Sequence, residues 1–295
     1  MNEPNADFSR TRAIVAEELR RLLPKMEGLR TTVQSLPLGL PALDSHLPHG
    51  GLACGALHEL VPADGGIAAA FGFTAALLAR ISSPPPCGEG SGVGVRKFNA
   101  HVDDHVRPHD PPPYPPPQGG REKILFVLPA YTLREYGRLS GHGLNSLGLD
   151  PTRLILVETA HRKQTLWAIE EALRSRAPAA VAGFIDKLDL KSSQRLHLAA
   201  TEAGRPLFLL RPAQTLESSA AATRWRVGTA EAARDRFGLF VRPRWHLQLE
   251  RCRNGRPGEW VVEYDHVAHR FSLAAALADP ASARRASEKS VLLAG

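Results

Sequence analysis

GALHELVPADGGIAAAFGFTAALLARI, residues 55–81, is the stretch on which the fold turns. Gly55 to Val61 is an apolar run with the length of a strand, and Pro62, Ala63, Asp64, Gly65 and Gly66 form a turn that stops it. Ile67 to Ile81 follows as an Ala/Leu/Phe run, long and apolar enough for a buried helix. Upstream, LPLGLPALDSHLPHGGLACGALHEL (36–60) is rich in turn residues and bends at Gly50 and Gly51 before the strand begins.

Downstream the strand and helix periods alternate. Ile124 to Leu128 reads as a strand, Tyr131 to Leu139 as a helix, and Arg153 to Val157 as a second strand. Gln164 to Arg174 carries Leu166, Ile169, Ala172 and Leu173 at helical spacing, and Ala179 to Ile185 is another buried strand. Ser192 to Glu202 as helix and Pro206 to Leu210 as strand complete the series. Such βαβα order implies a mostly parallel sheet flanked by helices, joined by right-handed crossovers. The last third changes style. Trp245, Leu247 and Leu249 alternate with His246, Gln248 and Glu250, and an Asn254-Gly255 turn leads to Glu259 to Tyr264, an antiparallel hairpin expected at the sheet edge.

Around this α/β core, residues 1–30 predict an amphipathic N-terminal helix, with Val15, Leu19, Leu22 and Met26 on one face. That face suits packing on its own domain or docking to a partner. Residues 31–276 form the main domain. It is interrupted at 83–120 by a Pro/Gly-rich segment too poor in large apolar residues to offset its ordering entropy, and so expected to be a disordered insertion in a surface loop. Residues 277–295, dominated by Ser, Ala, Arg and Glu, are expected to be a flexible tail.

With 43% hydrophobic residues in 295, the chain can build a sizeable core. Cys54, Cys87 and Cys252 lie far apart with no CxxC pair, so neither a disulfide framework nor a cysteine zinc site is expected, and a reducing cytoplasm fits. No leader pattern and no membrane-length apolar run appears. The formal charge of +7 suits polyanionic partners and equally suits a solvated surface.

A strand feeding a glycine turn and a helix is where P-loop proteins cradle phosphates on backbone N–H groups. The signature also needs a lysine to reach the phosphates and a Ser/Thr to hold magnesium, and here those positions are Ile67 and Ala68. Asp64 adds negative charge where phosphate would sit. Losing a single positioned donor costs about 3 kcal/mol of transition-state stabilisation, so losing two predicts no useful hydrolysis. Pro62, Ala63, Asp64, Gly65, Gly66, Ile67 and Ala68 therefore read as a degenerate phosphate loop.

Two further clusters bring together side chains suited to binding. Arg224-Trp225-Arg226 and Arg242 to Arg244 with Trp245, extended by Arg251, Arg253 and Arg256, interleave cations with aromatics. This suits single-stranded DNA contact, or equally the solvent side of antiparallel edge strands with Trp225 and Trp245 packed inward. His101, His105 and His109 repeat every four residues, but Pro108 and Pro111 to Pro113 oppose the helix that would align them, so no metal site is expected. Ser192 and Ser193 before Arg195 read as a helix start rather than as nucleophiles.

Residues 38–79 resemble the start of a RecA core with its ATP loop eroded, most clearly in GLPALDSHLPHGGLACGALHEL. The sequence is more closely similar to the ImuA family of bacterial damage-inducible mutagenesis proteins, which resemble RecA and the division inhibitor SulA. AGFIDKLDL (182–190), SSQRLHLAATEAGRPLFLLRP (192–212) and ESSAAATRWRV (217–227) carry the resemblance onward, so that it spans most of residues 35–270. It implies a RecA-like core and a cytoplasmic, non-catalytic accessory factor of SOS-induced translesion synthesis that needs no cofactor. The implied partner is ImuB, an inactive Y-family polymerase homologue, and through it an error-prone replicative-type polymerase, with RecA and single-stranded DNA as further candidates. Where an active RecA core places a water-activating glutamate after its second strand, Leu128 to Tyr131 offers Pro129 and Ala130. Asp186 stands near the position of a magnesium-holding aspartate, though it also suits a plain strand-end turn. A single-stranded DNA-binding module and a residual ATP-binding P-loop protein remain the alternative readings.

Overall fold

A computed structural model describes residues 34–63, 65–82, 123–215, 217–232, 237 and 242–274. The expected N-terminal helix, the insertion at 83–120, the tail at 277–295, Asp64 and the three spaced histidines lie outside the described residues.

The chain opens with β1 (Ser35–Leu36), α1 (Pro41–Asp44), a 3-10 turn (Pro48–Gly50) and β2 (Leu52–Ala53), which pairs antiparallel with β1. One carboxylate shapes this entry. Asp44 accepts from the backbone N–H groups of Leu38, Gly39 and Leu40 at 2.8–3.0 Å, folding the LGLPALD run onto itself so that Leu38, Leu40 and Leu43 point into the core. Then follow β3 (Leu57–Pro62), α2 (Ile67–Ser82), β4 (Ile124–Pro129), α3 (Ala130–Tyr136), α4 (Gly141–Ser146) and β5 (Leu154–Thr159). After them come α5 (Arg162–Ser175), β6 (Ala180–Phe184), α6 (Leu190–Ala203) and β7 (Leu207–Leu210). The chain closes with β8 (Thr223–Thr229), β9 (Arg244–Cys252), β10 (Gly258–Asp265) and β11 (Arg270–Leu273).

Nine strands form one sheet in the order β11-β10-β9-β8-β3-β7-β6-β4-β5, parallel from β5 through β8 and antiparallel from β8 to β11. This is the expected α/β core: β3 is central, helices flank a mostly parallel sheet, and antiparallel C-terminal strands extend it. Two details differ from the sequence reading. Thr223–Thr229 is an internal strand parallel to β3, not an edge strand, and the hairpin β9–β10 is not the edge because β11 pairs outside it. The helix expected from Ser192 begins at Leu190. Asp189 is its N-cap and accepts from the Ser192 N–H at 2.7 Å, while Ser193 donates back to the Leu190 carbonyl.

The sheet separates two cores. On one face α2 covers Leu60, Phe126, Phe208 and Leu210, and Phe73 reaches the antiparallel extension, where its ring lies 5.9 Å from Trp245 and 5.7 Å from Phe271. On the other face α5 and α6 lie side by side over Leu57, Val127, Val181, Leu207 and Leu209. Beside this aromatic cluster runs a buried polar chain. The Trp225 indole N–H donates to Thr223 Oγ1 at 2.9 Å, and Thr223 Oγ1 lies 2.8 Å from His58 Nδ1. His58 Nε2 lies 2.9 Å from the Ala53 carbonyl, which can only accept. Nε2 therefore carries the proton of a neutral imidazole, and Nδ1 accepts from the threonine. Burial pushes the pKa of His58 down to about 4.

Candidate functional site: a closed phosphate loop over a buried ion cluster

The loop sits at the carboxyl end of β3, the place where open α/β sheets bind ligands. The chain crosses from β3 to α2 in the four residues 63–66. The Ala63 N–H donates to the Val227 carbonyl at 2.8 Å, the Gly66 N–H to the Ala63 carbonyl at 2.7 Å, and the Ala70 N–H to the Gly66 carbonyl at 3.0 Å. Two amides that a phosphate cradle would aim outward are thus spent within the protein, one on the neighbouring strand and one on the turn itself.

The glycines have a different use from the one that the motif suggests. A Cβ on Gly66 would lie 2.9 Å from the Val227 carbonyl oxygen and 3.0 Å from that of Ala63, and one on Gly228 would lie 3.0 Å from Ala63 Cβ. Gly66 and Gly228 let the loop close against β8, while Gly65, at φ +69°, makes the left-handed step of the turn. Pro62 is buried, Ile67 packs half-buried on the core, and Ala68 is exposed. Neither an amine nor a hydroxyl stands where nucleotide hydrolysis needs one.

β4 runs out at Pro129, and Tyr131 meets Phe184 edge-on with centroids 6.3 Å apart. Asp186 lies beyond the end of β6, and its carboxylate accepts from the adjacent Lys187 N–H at 2.7 Å.

Beneath the loop, on the α6 side of the sheet, is an ion cluster that no motif announced. Glu59, in the middle of β3 and 0% exposed, receives Arg224 at 2.8 Å and Arg211 at 3.9 Å. Arg211 is 1% exposed; it also pairs with Glu217 and donates to the Ile185 carbonyl at 3.2 Å. Arg224 donates to the Glu217 carbonyl at 2.7 Å, and Arg251 donates to the carbonyls of Ser219 and Ala221 at 2.8 and 3.1 Å. Together they fasten the connector from β7 to β8. Burial lowers the pKa of both Arg211 and Arg251, and the Glu59 carboxylate works against that shift in each.

Of the arginine and tryptophan positions singled out as a DNA or partner surface, Trp225, Arg244 and Trp245 are buried, Arg224, Arg226 and Arg242 are half-buried, and Arg251, Arg253 and Arg256 are exposed. Trp225 is 1% exposed and Trp245 5%, which corrects the stacking role: no base can reach either ring. Arg226 pairs with Glu250, Arg242 with Glu263 and Asp265 at 3.2 and 2.9 Å, and Arg244 with Glu263 at 2.8 Å. Arg253 donates to the Ala220 carbonyl at 3.3 Å, and Arg256 is exposed. Arginines paired to carboxylates offer little uncompensated charge to displace counterions from a phosphate backbone. Cys54 and Cys252 are free, and burial pushes the Cys252 thiol up to about 11, away from a nucleophilic thiolate. Among the described residues no group of three or more His, Cys, Asp or Glu could hold a metal ion, and no helix is long and apolar enough to cross a membrane.

No family model matches the chain. Among curated proteins it is 31% identical over 270 residues to Protein ImuA from each of two strains of Caulobacter vibrioides, covering 85% of this chain and 93% of the relative. Among solved structures, a KaiC-like protein from the hyperthermophilic archaeon Pyrococcus horikoshii aligns with a TM-score of 0.44 and 13% identity, covering 83% of this chain and all of that one. At that identity and coverage the Caulobacter proteins are relatives along nearly their whole length, and the chain belongs to the ImuA family.

Proposed function

We propose that this protein is a non-catalytic accessory factor of SOS-induced mutagenic translesion DNA synthesis, acting in the bacterial cytoplasm by binding ImuB and, through it, an error-prone replicative-type polymerase. Family membership supports the damage-inducible mutagenesis setting. The observation that carries the non-catalytic half is the closed loop: the N–H groups of Ala63 and Gly66 are consumed internally, and Ile67 and Ala68 replace the groups that phosphoryl transfer requires. A RecA-like core without that chemistry retains broad helix-covered faces, and recognition is what such faces supply.

The test has two arms. Purified full-length chain is titrated with purified ImuB, and with an unrelated polymerase, at micromolar concentration and low salt. Phosphate release from ATP with magnesium is followed at high protein concentration. Association with ImuB alone and background phosphate release are expected. Absence of ImuB binding would remove the first half of the proposal, and steady metal-dependent turnover the second.

A further inference from the structure

We infer that the crest formed by α5 and α6 is a docking surface for an acidic amphipathic helix of the partner protein, an inference that rests on the reading that this chain works by holding a partner. The first observation is the placement of tryptophan. Of the four, Trp225 and Trp245 are buried and Trp260 packs against the core, whereas Trp167 on α5 is 67% exposed. On the adjoining helix Leu198 is 59% exposed and Leu190 48%. A large ring and two leucines held in water on neighbouring helices suit the anchors that dominate interfaces, where tryptophan is enriched.

The second observation is charge. Glu170, its side chain only 11% exposed, takes both Arg174 and Arg195, so one carboxylate in the seam is shared by two guanidiniums that stay 63% and 60% exposed. Lys163, Trp167 and Arg174 lie four and seven residues apart along α5, and Lys191, Arg195 and Leu198 four and three apart along α6, so each set follows one helical stripe. The two helices carry the exposed cations Arg162, Lys163, Arg174, Lys191 and Arg195 against the carboxylates Glu170, Glu171 and Glu202, five against three, so the layer keeps a positive excess. A helix bringing apolar residues at i, i+3 or i+4 and i+7, with carboxylates on its flanks, complements that surface. Single-stranded DNA fits it less well, because base stacking needs successive aromatic faces and the other two anchors are leucines.

The experiment labels the full-length chain with 5-fluorotryptophan and adds unlabelled purified ImuB, following the four fluorine resonances, with Trp167→Phe to assign one of them. The Trp167 signal is expected to shift or broaden while those of Trp225 and Trp245 stay. A Trp167→Glu/Leu198→Glu variant, its fold checked by thermal melting, is expected to bind ImuB about thirtyfold or more weakly, the loss typical of removing central anchors. Lys163→Glu/Lys191→Glu should weaken binding and flatten its salt dependence. Val267→Glu, at a site 80% exposed in the β10–β11 turn, should leave binding unchanged. If the Trp167/Leu198 variant binds ImuB as tightly as wild type, the crest is not the surface and the proposed function stands. If wild type does not bind ImuB, both fall. If oligo(dT) moves the Trp167 signal and ImuB does not, the crest is a nucleic-acid surface and the protein-docking inference is overturned.

Discussion

Replacing Glu59 by Gln is the most direct test of the ion cluster, because the change is nearly isosteric and removes only the charge. Glu59 is wholly buried and, among the described residues, is the carboxylate that faces both Arg224, at 2.8 Å, and Arg211, at 3.9 Å. After substitution Arg224 keeps only neutral partners, the amide at position 59 and the Glu217 carbonyl, and Arg211, 1% exposed, is left with Glu217, whose side chain is 45% open to water. Stripping one partner from a buried pair costs about 3–5 kcal/mol, mainly the desolvation of the charge left behind. For a domain of this size each kcal/mol shifts the melting temperature by about 2–4 °C, so a fall of about 6–20 °C is expected by calorimetry. The control replaces the three residues of the central ion pairs, Glu59→Leu with Arg211→Met and Arg224→Leu. Removing these three charges together should recover much of the loss, since well-packed apolar residues often serve as well as a buried ion group. Hydrogen exchange adds a local readout: in Glu59→Gln the β7–β8 connector should open before the sheet does. A loss under about 1 kcal/mol, the range of an exposed pair, would mean that the cluster is effectively solvated and would refute the reasoning.

Four further outcomes follow from the same geometry. His58 titrates near 4 in the folded state against 6.5 in its ordinary state, so the unfolded chain takes up a proton that the folded one refuses. Its stabilising contribution is whole above pH 6.5 and falls as the pH drops toward 4, by about 3 kcal/mol over that window. Urea midpoints for wild type and His58→Gln at stepped pH should converge on acidification; parallel lines would reject the neutral assignment. Restoring the lost side chains by Ile67→Lys/Ala68→Thr should leave ATP turnover at background, because the Ala63 and Gly66 N–H groups stay committed; magnesium-dependent phosphate release from the variant would show that the loop can open. Gly66→Ala places a methyl group 2.9–3.0 Å from two backbone oxygens and should cost about 1–3 kcal/mol in denaturant titration, whereas an unchanged midpoint would mean that β8 yields freely. Single-stranded DNA should bind weakly and with a shallow salt slope in fluorescence anisotropy, since Arg224, Arg226, Arg242 and Arg244 are paired; a steep slope would reopen the DNA-binding reading.

Much of the fold was legible because parallel sheets bury both faces of their strands and so write them as mostly apolar runs. LHELVP, ILFVLP, AVAGF and LFLL each stand out against the helices between them. β8 was harder. Thr223, Trp225 and Val227 alternate as a strand should, but Arg224 and Arg226 on its other face read as surface, because sequence does not reveal that carboxylates from β3 and β9 lie opposite them. The signal that could have exposed the cluster was Glu59 itself, a lone acid inside a largely apolar strand, with Arg211 directly after another such strand. Trp167 could likewise have been noticed as the residue that falls off the Leu166–Ile169–Leu173 spacing of its helix. The loop's missing lysine and hydroxyl were readable residue by residue. Its closure was not, because that depends on Gly228, distant in sequence, allowing β8 to approach.

The two halves of the functional reading share one cause in the sheet. In open α/β folds the carboxyl ends of the central strands form the ligand crevice, and a protein that binds there must keep backbone donors free and the neighbouring connectors movable. Here β8 binds the loop after β3 through the Ala63–Val227 hydrogen bond, while Glu59, Arg211 and Glu217 fasten the connector after β7. Both devices trade openness for rigidity at the same edge. What stays solvent-facing and chemically distinctive is the helical layer over β3, β4 and β6, where Trp167 and Leu198 sit on helices that carry exposed cations. A rigid sheet is an asset to such a layer, because a docking face gains affinity from preorganisation and nothing from a mobile crevice behind it. Loosening the cluster with Glu59→Gln should therefore weaken partner binding through the crest only near the melting transition. A crest that lost its partner at temperatures where the variant is still fully folded would mean that the crevice edge and the helical layer are coupled.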